Sequence, residues 1–287
     1  MSLAHVIHQS DVIGSTLRLL VARSGETPAL PGPWIPGQVP VRAPDMVAGF
    51  IAFSGGGGAD WAGELPPGLF PQWAWPTLTR TLHGLPYPLT KVVNAGCSWT
   101  RNGKLPADAP LLVRARLSKV EDDGRKALIS IQVQTGTANQ PELLDSVVTM
   151  YVPLPRDPKA PKSPRKEPLC VPEGARELTT RPLGARAGWE FATLTGDFNP
   201  IHWVRLSGKL AGFGGTILHG FGSAAIASQA LCNDLGGTDA LEHFECRFTR
   251  PVKLPTTVSV FVQDDQVFVG TAPGEPAMAV GAFRARQ

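Results

Sequence analysis

The chain has 287 residues, enough for two ordinary domains or one large one, and its 43% hydrophobic content suits a soluble globular protein with a sizeable core. A net charge of +3 is too small to point to nucleic acid or to a membrane surface. The four cysteines (Cys97, Cys170, Cys232, Cys246) show no C-x-x-C and no metal-ligand spacing, so a reduced, cytosolic protein is the simplest expectation. The opening "MSLAHVIHQS" has no basic region followed by an apolar run and does not read as a signal peptide. No apolar run is long enough to span a bilayer; the longest, "GTILHGFGSAAIASQAL", carries a His, two Ser and a Gln.

In chain order, the first clear element is a helix over "PQWAWPTLTRTLHG". Four strand-like runs follow, near 89–100, 110–121, 125–136 and 143–153. In the second, Val113, Ala115 and Leu117 alternate with Arg114, Arg116 and Ser118. In the third, Ile129, Ile131 and Val133 alternate with Ser130, Gln132 and Gln134. A period of two with one polar face predicts half-buried antiparallel strands.

Residues 153–172, "PLPRDPKAPKSPRKEPLCVP", hold seven prolines and five basic residues. Proline density of that kind excludes a helix or a central strand and predicts an extended linker, able to span up to roughly 60 Å. Its charges could attract anions, but a solvated linker is the favoured reading.

Beyond it, "ARAGWEFATLTG" places Ala187, Phe191 and Leu194 on one helical stripe, with Gly196 as its C-terminal cap. Asp197 falls in the turn just after. Asn199 and Pro200 read as N-cap and first residue of a new helix, "PIHWVRLSGKLAG", with His202 in its first turn. There the helix dipole disfavours an imidazolium, so His202 is expected to be neutral and able to accept a proton. His219-Gly220 marks another helix start, where unpaired backbone N–H groups can meet a developing oxyanion. The helix that follows, "GFGSAAIASQAL", is rich in small residues and puts Ala224, Ser228, Leu231 and Leu235 on one face. Strand-like runs near 241–250, 256–263, 266–272 and 277–286 complete the chain. Helix then four strands, twice, suggests a duplicated α+β unit: residues 1–152, the linker 153–172, and residues 173–287.

Taken alone, Asp-x-Asn-Pro serves as ordinary helix-start chemistry, and a first-turn His can simply be exposed. "FATLTGDFNPIHWVRLSGKLAGFGGTILHGF", however, resembles the signature of the MaoC-like family of (R)-specific enoyl-CoA hydratases and 3-hydroxyacyl-thioester dehydratases. That pattern runs aromatic, Ser/Thr-Gly-Asp-x-Asn-Pro-aliphatic-His, then Ile-x-His-Gly about fifteen residues on. Asp197, Asn199, Pro200, His202 and Gly220 match it. Gly208 departs from it, where a small residue such as Ala or Ser is usual; Gly is expected to fill the same small space.

The resemblance implies a double hot-dog fold: two antiparallel sheets, each wrapped around a central helix, meeting edge to edge as an intrachain pseudo-dimer. It implies hydration of trans-2-enoyl thioesters and its reverse. Asp197 and His202 would hold the water, the thioester carbonyl would accept a hydrogen bond from the Gly220 N–H, and Asn199 would shape the turn. His219 and Ser228 are expected on the substrate side, Ser228 at a position that limits acyl length in the family. Arg205 and Lys209 are weaker candidates for carrier phosphates. No metal or redox cofactor is implied. The partners expected are an acyl thioester of CoA or acyl carrier protein, with the chain a monomeric pseudo-dimer or a homodimer. Two rival readings are a thioesterase of the same fold and a non-catalytic thioester-binding subunit.

Other features carry less. "SGGGG" at 54–58 lacks the spacing of a phosphate loop. His5, His8, His83 and His243 have no visible partners. Residues 11–70 contain no Asp-x-Asn-Pro-x-His, and prolines in "GELPPGLFPQW" replace the His-Gly joint. One active site per chain is therefore expected. The first half is also expected to lack the extra helix of a catalytic half, leaving a wider apolar groove for a long acyl chain.

Overall fold

The computed structural model describes residues 4–20, 25, 28–58, 60–155 and 167–286. Two helices open it, α1 (Ala4–Ile7) and α2 (Ser10–Leu20), followed by β1 (Ile35–Val39) and α3 (Pro44–Ser54). Helix α4 (Phe70–Leu78) continues as a 3-10 turn over Thr79–Leu82. Strands β2 (Val93–Arg101), β3 (Leu111–Asp122), β4 (Lys126–Gly136) and β5 (Leu144–Pro153) complete the first half. The second half runs β6 (Arg176–Leu183), α5 (Ala187–Thr195), a 3-10 turn (Pro200–His202), α6 (Arg205–Leu210) and α7 (Gly220–Asp234). Strands β7 (Leu241–Phe248), β8 (Thr256–Gln263), β9 (Gln266–Gly270) and β10 (Ala279–Ala285) close it.

All eight strands expected from period-two patterning are present. Two more, β1 and β6, carried no such signal. Both lie at the outer edges of the sheet, where only one neighbour pairs, and β1 contains a proline and a glycine that edges tolerate. The ten strands form one antiparallel sheet in the order β1-β3-β4-β5-β2-β7-β10-β9-β8-β6. Each half contributes five strands in mirrored order, so the halves are related as two copies of one unit joined at β2 and β7.

The β2–β7 register sets Trp99 opposite Phe244 and Cys97 opposite Cys246. The two rings lie 5.8 Å apart. Both cysteines are free and buried, and loss of solvent pushes the Cys97 thiol up to about 12 and the Cys246 thiol well above its ordinary range. At the end of this seam, Arg101 is 2% exposed and pairs with Glu64 and, at 2.8 Å, with Asp239 of the other half. Lys104 bridges the same two carboxylates at 2.8 and 2.9 Å. Thr100 Oγ1 and His243 Nδ1 meet at 2.8 Å across the seam, so His243 has a partner that the sequence did not reveal. One hydrophobic core runs through both halves, from Phe50, Trp73 and Ile131 to Phe191, Ile226 and Val260.

The central helix α7 is buried along almost its whole length, with residues Phe221 to Cys232 all inside. Its Gly, Ala and Ser content lets the sheet and α3 close around it. The first half does not lack the extra helix, contrary to expectation. Helix α3 occupies the place in the first half that α5 holds in the second, and it packs on both α5 and α7. Phe50 and Phe53 of α3 lie 6.2 and 5.1 Å from the Phe191 ring, so α3 packs directly against α5. Between α3 and α4 the first half has its own 3-10 turn, Pro67–Leu69, but among the described residues no short helix corresponding to α6.

The expected linker is partly built into the fold. Pro153 ends β5, and Val171 is 1% exposed, packing with Phe261, Phe268 and Ala277. Its backbone N–H donates to Glu275 O at 2.9 Å. Residues 156–166, which hold all five of its basic side chains, lie outside the described residues.

Candidate active site

Helix α5 ends where Gly196 takes a left-handed conformation, φ 80°, and turns the chain outward. Asp197 follows. Its Oδ1 accepts the Asn199 N–H at 3.2 Å, while Asn199 Oδ1 caps Ile201 N–H at 3.3 Å. Asn199 thus shapes the turn, and Pro200 starts a helical turn at the position where its missing N–H costs nothing.

That turn is a single 3-10 turn, not the start of a long helix. The chain breaks at Trp203 and Val204 before α6 begins at Arg205. The helix-dipole argument for a neutral His202 therefore fails, because one turn has no macrodipole to speak of. Burial does the work instead: His202 is 7% exposed, and loss of solvent lowers its pKa, against the opposing pull of the Asp197 carboxylate and the Ile217 carbonyl.

The Ile217 carbonyl also fixes the tautomer. His202 Nδ1 lies 2.9 Å from Ile217 O, and a carbonyl only accepts, so Nδ1 carries the proton and Nε2 is left with a lone pair. The fifteen-residue spacing between the two halves of the sequence motif is the span of this bond.

His219 is the N-cap residue of α7 and is only 1% exposed. It was expected beside the substrate; it lies behind His202. The two rings stack with centroids 3.5 Å apart and planes 22° from parallel. Its Nε2–H donates to the Asp197 backbone carbonyl at 2.9 Å and stands 3.9 Å from the Asp197 carboxylate. Its Nδ1 is buried without a hydrogen-bond partner. Burial, then the neighbouring His202, push the His219 pKa down to about 3.

Asp197, His202 and His219 bring three donor-type atoms within 4.8 Å of one another. The stack does not suit a shared metal ion. Imidazole lone pairs lie in the ring plane, so near-parallel rings aim theirs side by side rather than at one point.

Gly220 opens α7. The N–H groups of Gly222 and Ser223 are taken by His219 O, which leaves those of Gly220 and Phe221 as first-turn donors without an intrahelical partner. A Cβ at Gly220 would run into the Phe248 ring, so a larger residue there disturbs packing as well as any ligand. Gly208 is tighter than the resemblance suggests: a Cβ would strike the Gly215 carbonyl, so Ala or Ser does not fit without a backbone shift.

The remaining expected residues lie further out. Ser228 is 7% exposed and sits where a Cβ on Gly68 would meet its hydroxyl at 3.4 Å, between α7 and the first half. Arg205 and Lys209 are exposed on α6, a helix separate from the turn carrying His202. Sequence reasoning passed over an aromatic cluster beside Asp197. Trp189 lies 5.7 Å from Phe198 and 5.2 Å from Trp203, whose indole N–H donates to Phe198 O. It also passed over Gln9, whose carboxamide reaches the end of α5 from 185 residues away.

Residues 171–274 match the model of the MaoC like domain. The chain is 29% identical over 157 residues to 3-hydroxyacyl-thioester dehydratase X of Mycobacterium tuberculosis, covering 53% of this chain and 52% of that one. It is 28% identical over 168 residues to the peroxisomal enoyl-CoA hydratase 2 of Arabidopsis thaliana, 52% of each. The chain spans about half the length of these relatives, or less in other matches. The crystal structure of HtdX of Mycobacterium tuberculosis superposes with a TM-score of 0.70 at 18% identity, over 88% of this chain and 100% of that one. Fold, motif and match agree that residues 171–274 are a MaoC-like domain, carried in a chain with the double hot-dog fold.

Proposed function

We propose that this protein catalyses the reversible hydration of trans-2-enoyl thioesters and the dehydration of (R)-3-hydroxyacyl thioesters. The observation that carries the reading is the pairing of a partly exposed Asp197 carboxylate with a neutral His202 whose Nε2 is free to accept a proton. The relatives' names, a thioester dehydratase and an enoyl-CoA hydratase, support it.

In the hydration direction, a water molecule lies between Asp197 and His202 Nε2. Its oxygen bonds to C3, the C2=C3 electron pair moves toward the thioester carbonyl, and the Gly220 N–H stabilises the enolate oxygen. His202 Nε2 takes the water's proton. The imidazolium formed is stabilised by the Asp197 carboxylate, the same attraction that opposes burial in setting its pKa. Collapse of the enolate places one proton on C2, returned from the Asp197–His202 pair, so no proton is gained or lost overall. The reverse sequence expels the 3-hydroxyl as water.

The carrier, CoA or acyl carrier protein, would approach the exposed overhang of α6, where Arg205 and Lys209 offer positive charge and no acidic residue occurs between Phe198 and Asn233. Among the described residues, no helix is long and apolar enough to cross a membrane.

The test is a crotonyl-type thioester followed by its enoyl absorbance, with a parallel assay for free thiol. Hydration removes the enoyl band without releasing thiol. Thiol release would identify a thioesterase, and no change in either signal would leave a binding subunit.

A further inference from the structure

We infer that Gln9 is a positioning residue: the N-terminal helices clamp the end of α5 and thereby hold Asp197 in place. The inference rests on the proposed role of Asp197. Gln9 is fully buried, 0% exposed, although it lies near the start of the chain. Its Nε2 donates to Leu194 O at 3.0 Å and to Thr193 O at 3.3 Å. These are last-turn carbonyls of α5, which the helix itself leaves short of donors.

The carboxamide is held from its other end. Gln72 Nε2 donates to Gln9 Oε1 at 2.8 Å, and Arg42 donates to Gln72 Oε1 at 3.3 Å. The relay Arg42–Gln72–Gln9–Leu194 joins the first half to the last turn of α5. Val12, one turn beyond Gln9, closes the space beside Gly196: a Cβ there would meet Val12 side-chain atoms and Gln9 Oε1. The helices α1 and α2 are themselves anchored, by His5 Nε2 to Asp45 Oδ2 at 3.0 Å and by Trp75 Nε1–H to Thr16 Oγ1 at 2.8 Å.

The turn after Gly196 is held on its far side by His219 Nε2, which donates to the Asp197 carbonyl, while Gln9 holds the helix end that leads into it. Asp197 sits one residue beyond Gly196, so the direction in which α5 ends, together with the His219 and Asn199 hydrogen bonds, sets the direction of its carboxylate. A carboxylate displaced by a fraction of an ångström from His202 loses the geometry on which proton transfer depends. The first half therefore contributes to the chemistry through Gln9, without touching the substrate.

The test uses the full chain and crotonyl-CoA. Gln9→Met keeps the volume but donates nothing. The expected result is a kcat lower by roughly five- to tenfold, well within the loss that a small misplacement of a reacting group can cause, with KM within about twofold. Amide hydrogen exchange at residues 196–199 should accelerate by a similar factor while the β2–β7 seam is unchanged. A purely structural residue would lower the melting temperature without moving kcat in the folded protein. Gln72→Met, which releases Gln9 from its other end, carries the same two readouts should Gln9→Met fail to fold. Unchanged kcat and unchanged exchange at 196–199 in the folded variants would overturn the inference. If the unsubstituted chain hydrates no enoyl thioester, the proposed function fails, and exchange at 196–199 alone decides the role of Gln9.

Discussion

The rings of His202 and His219 are stacked 3.5 Å apart, and each is held by a different backbone carbonyl, Ile217 for one and Asp197 for the other. The arrangement makes two histidines unequal. One keeps a free nitrogen beside the carboxylate; the other spends its donor on the backbone of that same aspartate and is shut off from solvent.

Asp197→Asn and His202→Ala should each lower turnover by roughly 10²–10⁴-fold, the range for positioned acid–base groups. Circular dichroism would verify the fold of each variant. Near-normal enoyl-thioester hydration in both would remove this pair from the chemistry.

The rate should depend on pH through His202. Burial lowers its pKa from 6.5, so the neutral, proton-accepting form persists below the pH at which a free histidine would be half charged. The acid limb of kcat/KM should therefore lie below pH 6.5. A limb centred at or above that value would show that a different group controls the rate.

Stability should fall in acid because of His219. Its pKa is 6.5 in the unfolded chain and about 3 in the fold, so between these values the unfolded state binds more protons. The contribution is fully present above pH 6.5 and is lost as the pH falls toward 3, at about 1.4 kcal/mol per pH unit at most. His219→Gln, which does not titrate, should flatten that slope by up to one proton. Urea unfolding at several pH values between 7 and 4 measures it, and parallel slopes in the two proteins would contradict the assignment.

Arg101→Leu should destabilise the chain by roughly 3–5 kcal/mol, because it strands the Glu64 carboxylate at a buried seam. Among the described residues, Lys104 alone would remain to pair with it. Activity measured well below the melting temperature should change little, since the seam lies away from Asp197. A small stability change would mean that Lys104 alone suffices.

The sequence by itself determined the repeated helix-and-strand order, because half-buried strands write their burial directly as a period of two. It determined the Asp197–Asn199–His202 turn for a similar reason: Gly196, Asn199 and Pro200 each satisfy a local backbone need within a few residues. It also located the start of α7 at His219-Gly220. Only the tertiary structure decided the rest. The edge strands β1 and β6, with one neighbour each, carry no strong alternation. His202 is neutral through burial under a neighbouring ring, and burial is set by the packing of α5, α7 and the turn together. His219 reads as a substrate-side residue at a helix start, and only the packing of Phe191 and His202 against its ring shows it to be buried. Helix α3, which packs on α5 and α7, is apolar on nearly all sides, so its sequence gives no single face to assign; its neighbours are chosen across more than a hundred residues. Gln9 shows the limit most clearly. A glutamine among polar neighbours near the start of a chain carries no local signal, and its importance comes from two carbonyls that the fold brings to it from 185 residues away. Hydrogen-bond demand at a helix end is predictable from sequence; the residue that meets it is fixed only when distant segments meet.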